Sequence, residues 1–271
     1  MNQIIAPDPR VLSGQALPED WKGMDDFARG IDGNRLPTTG ALAGTALAVE
    51  MDGRPRLDLR FSSVDQVQWT SDSDSGTDWY EAVEMRPGLL YLTFTYTADP
   101  LRAVVLVVNR NAGRTLLIES RIGPEPTPGR PRVDQTFVPG HLVDVVASGP
   151  EPGPTRDLIG WRALYRYSPN HLYEHVYLSS ERYAWQCLQG EQRGHGDVDL
   201  ATTWSLGDTL YVFTFREFLI PVAATWLYDL DALRTVGTFF GLGDGGSVRC
   251  APGGALITPL GRVAYPDEQP V

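Results

Sequence analysis

His175 sits at the centre of the stretch richest in reactive side chains. Leu158 to Cys187 reads LIGWRALYRYSPNHLYEHVYLSSERYAWQC. It holds two of the four histidines, one of the two cysteines, two of the seven tryptophans and five of the eleven tyrosines. Two strand-like runs flank a Ser168-Pro169-Asn170 turn. A period of two puts Tyr173, His175 and Tyr177 on one face and Leu172, Glu174, Val176 and Leu178 on the other. Tyr183, Trp185 and Cys187 share a face in the same way. An aromatic face with polar tips suits a lined cavity better than a solvated surface. An imidazole titrates near neutral pH, which makes His175 the leading general acid or base. Tyr173 and Tyr177 are placed to orient it or to hold a substrate oxygen, and Trp185 to form a stacking wall. The plainer alternative is a core histidine hydrogen-bonded to a tyrosine.

Further along, Tyr211, Phe213, Phe215 and Glu217 alternate in LYVFTFREF. A carboxyl group at the end of an aromatic stripe has its pKa raised by desolvation and becomes a second acid/base candidate. If the strand ends at Arg216, Glu217 is instead solvated. Trp204, Trp226 and Tyr228 extend the lining or fill a core.

Other motifs carry less. His171 and His175, with His195 and Asp197 downstream, have a metal-like composition. Residues four apart on a strand are about 13 Å from each other, too far to share an ion, and His171 is expected on the turn. No metal is assigned. Gly241 to Gly246 matches G-x-G-x-x-G, but SVRCAPGG follows where a dinucleotide site needs a helix, so it reads as a loop. Asp72 to Asp78 resembles a calcium loop but has Val83 where the twelfth-position carboxylate belongs. Cys187 lies within a strand, not at a helix N-terminus, and is a doubtful nucleophile. It is placed with Tyr177, Trp185, Tyr211, Phe213 and Trp226 as a ligand contact.

The chain has 271 residues and a net charge of -11. That charge disfavours nucleic acid and anionic membranes as partners. Lys22 is the single lysine, which leaves almost no candidate for Schiff-base chemistry. Two cysteines without a CxxC pair exclude a disulfide scaffold and fit a reducing cytoplasm. No signal peptide is visible, and no apolar run approaches the roughly 20 residues that span a bilayer. A homodimer is left open.

These residues need elements to position them. Residues 1–41 read as an arm rich in Pro, Gly and Asp, with a short helix over Pro18 to Arg29 and the rest extended along the body. From Leu42 short strands alternate with Gly, Asn, Asp and Pro punctuation, as in an antiparallel barrel or sandwich. Ser71 to Asp78 reads as an acidic loop and Ser148 to Arg156 as a linker. Beyond the linker the pattern recurs. Leu42-Ala43-Gly44 answers to Leu158-Ile159-Gly160, and Phe61-Ser62-Ser63 to Leu178-Ser179-Ser180. Trp69 answers to Trp185, Leu90-Tyr91-Leu92 to Leu210-Tyr211-Val212, and Arg114-Thr115 to Arg234-Thr235. The last two pairs share one register. A duplicated unit with small loop insertions has this signature. In that alignment Asp58 and Arg60 stand where His175 and Tyr177 stand. The expected units are the arm 1–41 and two barrels, 42–147 and 157–271.

FARGIDGNRLPTTGALAG, YEHVYLSSERYAWQCLQGEQRG and LYVFTFREFLIPVAATWLYDLDALRTVGTFFG together resemble the MoaF family of bacterial proteins. The resemblance runs from about Phe27 to Gly241 and is most specific in Tyr173 to Leu178 and Tyr183 to Cys187. It implies two related halves, each a lipocalin-like (calycin) β-barrel. The family name is attached to molybdenum-cofactor biosynthesis and to monoamine-regulated operons. No catalytic motif is carried over from it.

The sequence therefore predicts an all-β protein of two tandem calycin-like antiparallel barrels with an extended N-terminal arm. An eight-stranded barrel holds about one small ligand. The expected function is binding of a small aromatic or hydrophobic metabolite, with cofactor-independent isomerase, cyclase or lyase chemistry carried by His175, Tyr173 and Glu217. The alternative is a non-catalytic carrier or accessory protein of a cofactor (molybdopterin) or amine pathway.

Overall fold

A computed structural model describes residues 21–271 except 73, 267, 269 and 271. Two antiparallel barrels follow each other in the chain. The first contains β1 (Ala46–Met51), β2 (Arg54–Phe61), β3 (Gln66–Ser71), β4 (Asp74–Arg86), β5 (Leu89–Thr95), β6 (Arg102–Asn109), β7 (Arg114–Ile122) and β8 (Val133–Leu142). Each strand pairs with the next, and β8 returns to β1. A short β9 (Gly153–Pro154) lies in the expected linker and pairs with the second barrel. That barrel contains β10 (Trp161–Ser168), β11 (His171–Tyr177), β12 (Arg182–Gln189), β13 (Gly196–Ser205), β14 (Leu210–Arg216), β15 (Val222–Asp229), β16 (Arg234–Leu242) and β17 (Val248–Arg262). It closes through β17 on β10. The two barrels expected from the repeat are both present. The expected acidic loop from Ser71 to Asp78 is instead a tight hairpin, with Asp78 already in β4 opposite Val67.

Hydrogen-bond register sharpens the repeat and moves part of it by one residue. Gly44 N–H donates to the Phe61 carbonyl at 2.8 Å, and Gly160 N–H to the Tyr177 carbonyl at 2.8 Å. Leu59 faces Trp69 as His175 faces Trp185. Leu57, Leu59 and Phe61 are therefore the counterparts of Tyr173, His175 and Tyr177. The Asp58 and Arg60 assignment fails, because both are exposed on the outer face. The Leu90–Leu210 match fails in the same way. Phe94 faces Val104 as Phe215 faces Ala224, so Leu90 answers to Tyr211. A slip of one residue exchanges the two faces of a strand. The connection after β14 is one residue shorter than that after β5, which restores the Arg114–Arg234 match.

Strand β15 is buried at every position. One face looks into its own barrel. The other meets the first barrel, where Leu210, Val212, Leu227 and Val236 pack on Tyr91, Val105, Val107, Leu116 and Ile118. Tyr91 Oη donates to the Thr225 carbonyl at 2.9 Å across this contact.

The arm crosses both barrels. Its helix α1 (Met24–Phe27) is shorter than the Pro18–Arg29 helix expected, whose first three residues lie outside the described chain. Met24, Phe27 and Ile31 are buried in the core of the second barrel. Asp25 anchors the helix from outside. It accepts from Asp244 N–H at 2.7 Å and from Arg249 Nε at 2.8 Å. The glycine-rich loop thus holds the arm, and a Cβ at Gly243 would lie 2.4 Å from the Asp25 carboxylate. Beyond the mouth, Arg35 forms an ion pair with Glu81, and Thr39 N–H donates to the Ala82 carbonyl at 2.8 Å.

A pair of equal size in the first barrel is replaced by a large–small pair in the second. Leu106 faces Leu117 in the first, and Trp226 faces Gly237 in the second. A Cβ at Gly237 would meet the Trp226 ring at 2.2 Å. Gly237→Ala is expected to destabilise the protein by about 1–3 kcal/mol, the usual cost of overpacking. Urea unfolding measures it; an unchanged midpoint would show that the Trp226 slot is not tight.

Candidate functional site

Inside the second barrel the strand period brings together residues far apart in sequence. Tyr173 and His175 come from β11, Trp185 and Tyr183 from β12, and Phe215 from β14. Strand β14 ends at Arg216, yet Glu217 is not solvated. Its N–H bonds the Val222 carbonyl at 2.9 Å, and its side chain is carried into the barrel with 5% of the residue exposed. Phe27 and Ile31 of the arm and Gln192 close the mouth above these groups. They enclose a cavity of about 30 Å³ lined by both His175 and Glu217. That is room for one or two waters. The interior is otherwise filled by its own side chains.

His175 is buried, and its ring stacks on Tyr165 at 4.1 Å between centroids. No described residue bonds its Nδ1. Burial lowers its pKa to about 3. It is therefore a neutral imidazole and a weak base, not the near-neutral titrating group its type suggested. The phenols are also held neutral. Burial pushes Tyr165, Tyr173, Tyr177 and Tyr228 above the usual range. Tyr177 does not orient His175. It lies between Tyr165 (2.6 Å) and Tyr228 (2.8 Å) in a chain of three hydroxyls. Tyr173 Oη donates to Gln192 Oε1 at 2.9 Å.

Glu217 is strongly altered by its surroundings. Burial, and then the charges of Asp199 and Asp197, push its pKa well above the carboxylate range. Asp199 accepts from Trp185 Nε1 at 2.9 Å and from Phe218 N–H at 3.3 Å. Burial and the neighbouring Asp197 raise Asp199 to about 7. The two donors favour ionisation of Asp199, so Glu217 keeps its proton. The pair resembles the two-carboxylate arrangements in which one group serves as an acid.

Asp199 was not among the residues singled out, although the repeat contains its signal. In the first barrel Trp69 Nε1 donates to Asp78 Oδ2 at 2.7 Å, and Thr97 N–H to Asp78 Oδ1 at 2.8 Å. The Trp–Asp pair belongs to the shared frame. What differs is the residue before the donor: Tyr96 in the first barrel, Glu217 in the second. Tyr165, Tyr167 and Tyr228 were also underweighted, and Phe27 and Ile31 were not anticipated.

Of the predicted residues, Tyr173, His175, Trp185 and Glu217 line the cavity. Tyr177, Phe213, Trp226 and Cys187 lie in the same core but off the cavity wall. Tyr211 sits in this core too, its hydroxyl 3.4 Å from Asp157 Oδ2. His171, placed by sequence on the turn, opens β11 and bonds Ser168 Oγ through Nδ1 at 2.8 Å. His195 stacks on Trp21 at 5.1 Å.

Residues 19–124 match the MoaF N-terminal domain and residues 152–263 the MoaF C-terminal domain. Protein MoaF of Klebsiella aerogenes is 32% identical over 239 residues, covering 84% of this chain and 90% of that protein. The chain belongs to the MoaF family. The first match ends just after β7 and the second begins just before β9, so β8 lies between the two matched stretches. Among solved structures, a Burkholderia vietnamiensis protein provisionally labelled a beta-lactamase aligns with 38% of this chain and 95% of its own length, at 12% identity and a TM-score of 0.32. That likeness carries no argument about chemistry.

A carboxyl group held protonated has a stability signature. Its folded pKa lies above the unfolded value near 4.5. Its contribution is complete below that pH and is lost as pH rises towards the folded pKa. Glu217→Gln removes the loss. Relative to the parent, the variant is expected to gain stability from about pH 4.5 upward, with a slope of up to about 1.4 kcal/mol per pH unit. Urea titrations at pH 4, 6 and 8 check this. A difference that is flat with pH would mean that Glu217 ionises normally.

Proposed function

We propose that the second barrel binds a small, uncharged aromatic or apolar molecule and acts on it by cofactor-independent proton transfer, as an isomerase, cyclase or lyase does. The observation that carries this reading is one cavity lined both by Glu217, whose pKa burial pushes well above the carboxylate range, and by an imidazole whose Nδ1 has no partner among the described residues. Buried polar atoms are almost always bonded, and those that are not call for a partner. No described Arg or Lys lines that cavity, so a charged ligand would be desolvated without compensation from these residues. Glu217 supplies a proton to a ligand atom. His175 accepts or donates a hydrogen bond at Nδ1 and takes up a proton only as charge develops. Tyr173 orients ligand oxygen through the hydroxyl now bonded to Gln192. General acid–base chemistry of this kind contributes about 10²–10⁴ in rate.

The cavity as closed is too small for such a ligand, so the arm must move. Phe27 and Ile31 occupy the volume that a ligand ring takes on entry. A competing arm reduces apparent affinity to the fraction of time that it is unseated. A panel of neutral aromatic metabolites, read by thermal shift and by product formation, tests both parts. Phe27→Ala is expected to tighten binding of any hit. Glu217→Gln is expected to lower turnover at least 10²-fold and leave binding within a few-fold. Hits bound equally well with no turnover in either form would favour the non-catalytic carrier or accessory reading. No hit with Phe27→Ala would remove the small-molecule reading altogether.

A further inference from the structure

The first barrel keeps a cup at the position of the Glu217 cavity. The ladders make Leu57, Trp69, Tyr96 and Glu119 the counterparts of Tyr173, Trp185, Glu217 and Phe239. All four of the former line one depression of about 290 Å³. No described residue of the arm lines it. The volume suits one substituted aromatic ring, near the lower edge of small-molecule sites.

The floor is apolar and aromatic, with Trp69 edge-on to Tyr96 at 5.0 Å and Leu57 and Leu117 beside them. The wall is charged. Arg102 bonds Glu119 at 2.7 Å and lies 4.5 Å above the Tyr96 ring. Arg54 reaches the same Glu119 oxygen at 3.5 Å and Thr136 Oγ1 at 3.1 Å. Two guanidinium groups thus share one carboxylate. Arg102 Nε has no hydrogen-bond partner among the described residues, and the nearest Asp99 oxygen, 4.0 Å away, belongs to a carboxylate that also bonds Arg121. Asp72 and Asp74 stand exposed on the rim. Solvent screens them, but they oppose a second negative charge.

We propose that this cup is a second binding site, specific for a small aromatic monocarboxylate. The ring lies on Trp69 and Tyr96, and the carboxylate meets Arg102 and Arg54. Guanidinium groups recognise carboxylates through paired N–H donors, and recessed ones do so with less competition from water. The site is independent of the second barrel and of its chemistry.

Calorimetric titration of the full chain with benzoate tests this, with benzamide as the neutral isostere. Benzoate is expected to saturate with a Kd on the order of 0.1–1 mM, a fair affinity for a fragment of that size. Benzamide should bind at least 10-fold more weakly. Arg102→Met, which keeps the stem over Tyr96, should weaken benzoate at least 10-fold. Met51→Trp should fill the cup and do the same without altering charge. Equal binding of benzoate and benzamide, no saturation, or benzoate binding unchanged in both variants would overturn the proposal. The benzamide comparison uses the parent protein and decides the matter even if a variant fails to fold.

Discussion

Desolvation without counter-charge governs the second barrel. Its interior holds a histidine, two carboxyl groups and a chain of tyrosines, and among the described residues no guanidinium or ammonium lines the cavity that His175 and Glu217 share. In so dry a space an isolated charge is costly. Each group there settles in its neutral form unless hydrogen bonds hold it otherwise. His175 gives up its proton, Glu217 keeps one, and Asp199 is compensated by the Trp185 indole and the Phe218 amide. The architecture serves this condition. The strands that carry Phe215, Trp226 and Phe239 are covered on their outer side by the first barrel. Phe27 and Ile31 of the arm cover part of the cavity.

Duplication gave both barrels the same frame, and the interiors then diverged. The first barrel keeps Leu57, Leu59 and Phe61 where the second has Tyr173, His175 and Tyr177, so it has no titratable group at those positions. At its mouth the exchange runs the other way. Glu119 and Arg102 bring charge to a place that the second barrel fills with Phe239 and Val222. One fold therefore offers a buried neutral cavity and an open charged cup at equivalent positions.

The fold was legible because strand punctuation and the repeat are strong signals. Trp69 with Trp185 and Gly44 with Gly160 were matched correctly. The Ser62-Ser63 and Leu90 matches misled, since identical letters one residue out of register pair an inward face with an outward one. Only the hydrogen-bond ladder reveals such a slip. The cavity wall was partly legible: the period of two predicted that Tyr173, His175 and Trp185 face one way. Burial then overturned the reason for choosing His175, because its pKa depends on how many atoms surround the ring. Asp199 lies fourteen residues beyond Trp185, and the arm more than a hundred residues upstream. Both reach the site through tertiary packing that local pattern does not encode.

The central claim, that the second barrel holds Glu217 as a neutral acid at working pH, is open to infrared spectroscopy. Spectra of the parent protein and of Glu217→Gln at pH 7 exchange the carboxyl group at that position for an amide. The account predicts that the difference shows the carbonyl stretch of a protonated carboxyl group present in the parent and missing from the variant. A difference showing instead the loss of an ionised carboxylate would contradict it, and the acid assigned to this barrel would have to be sought elsewhere.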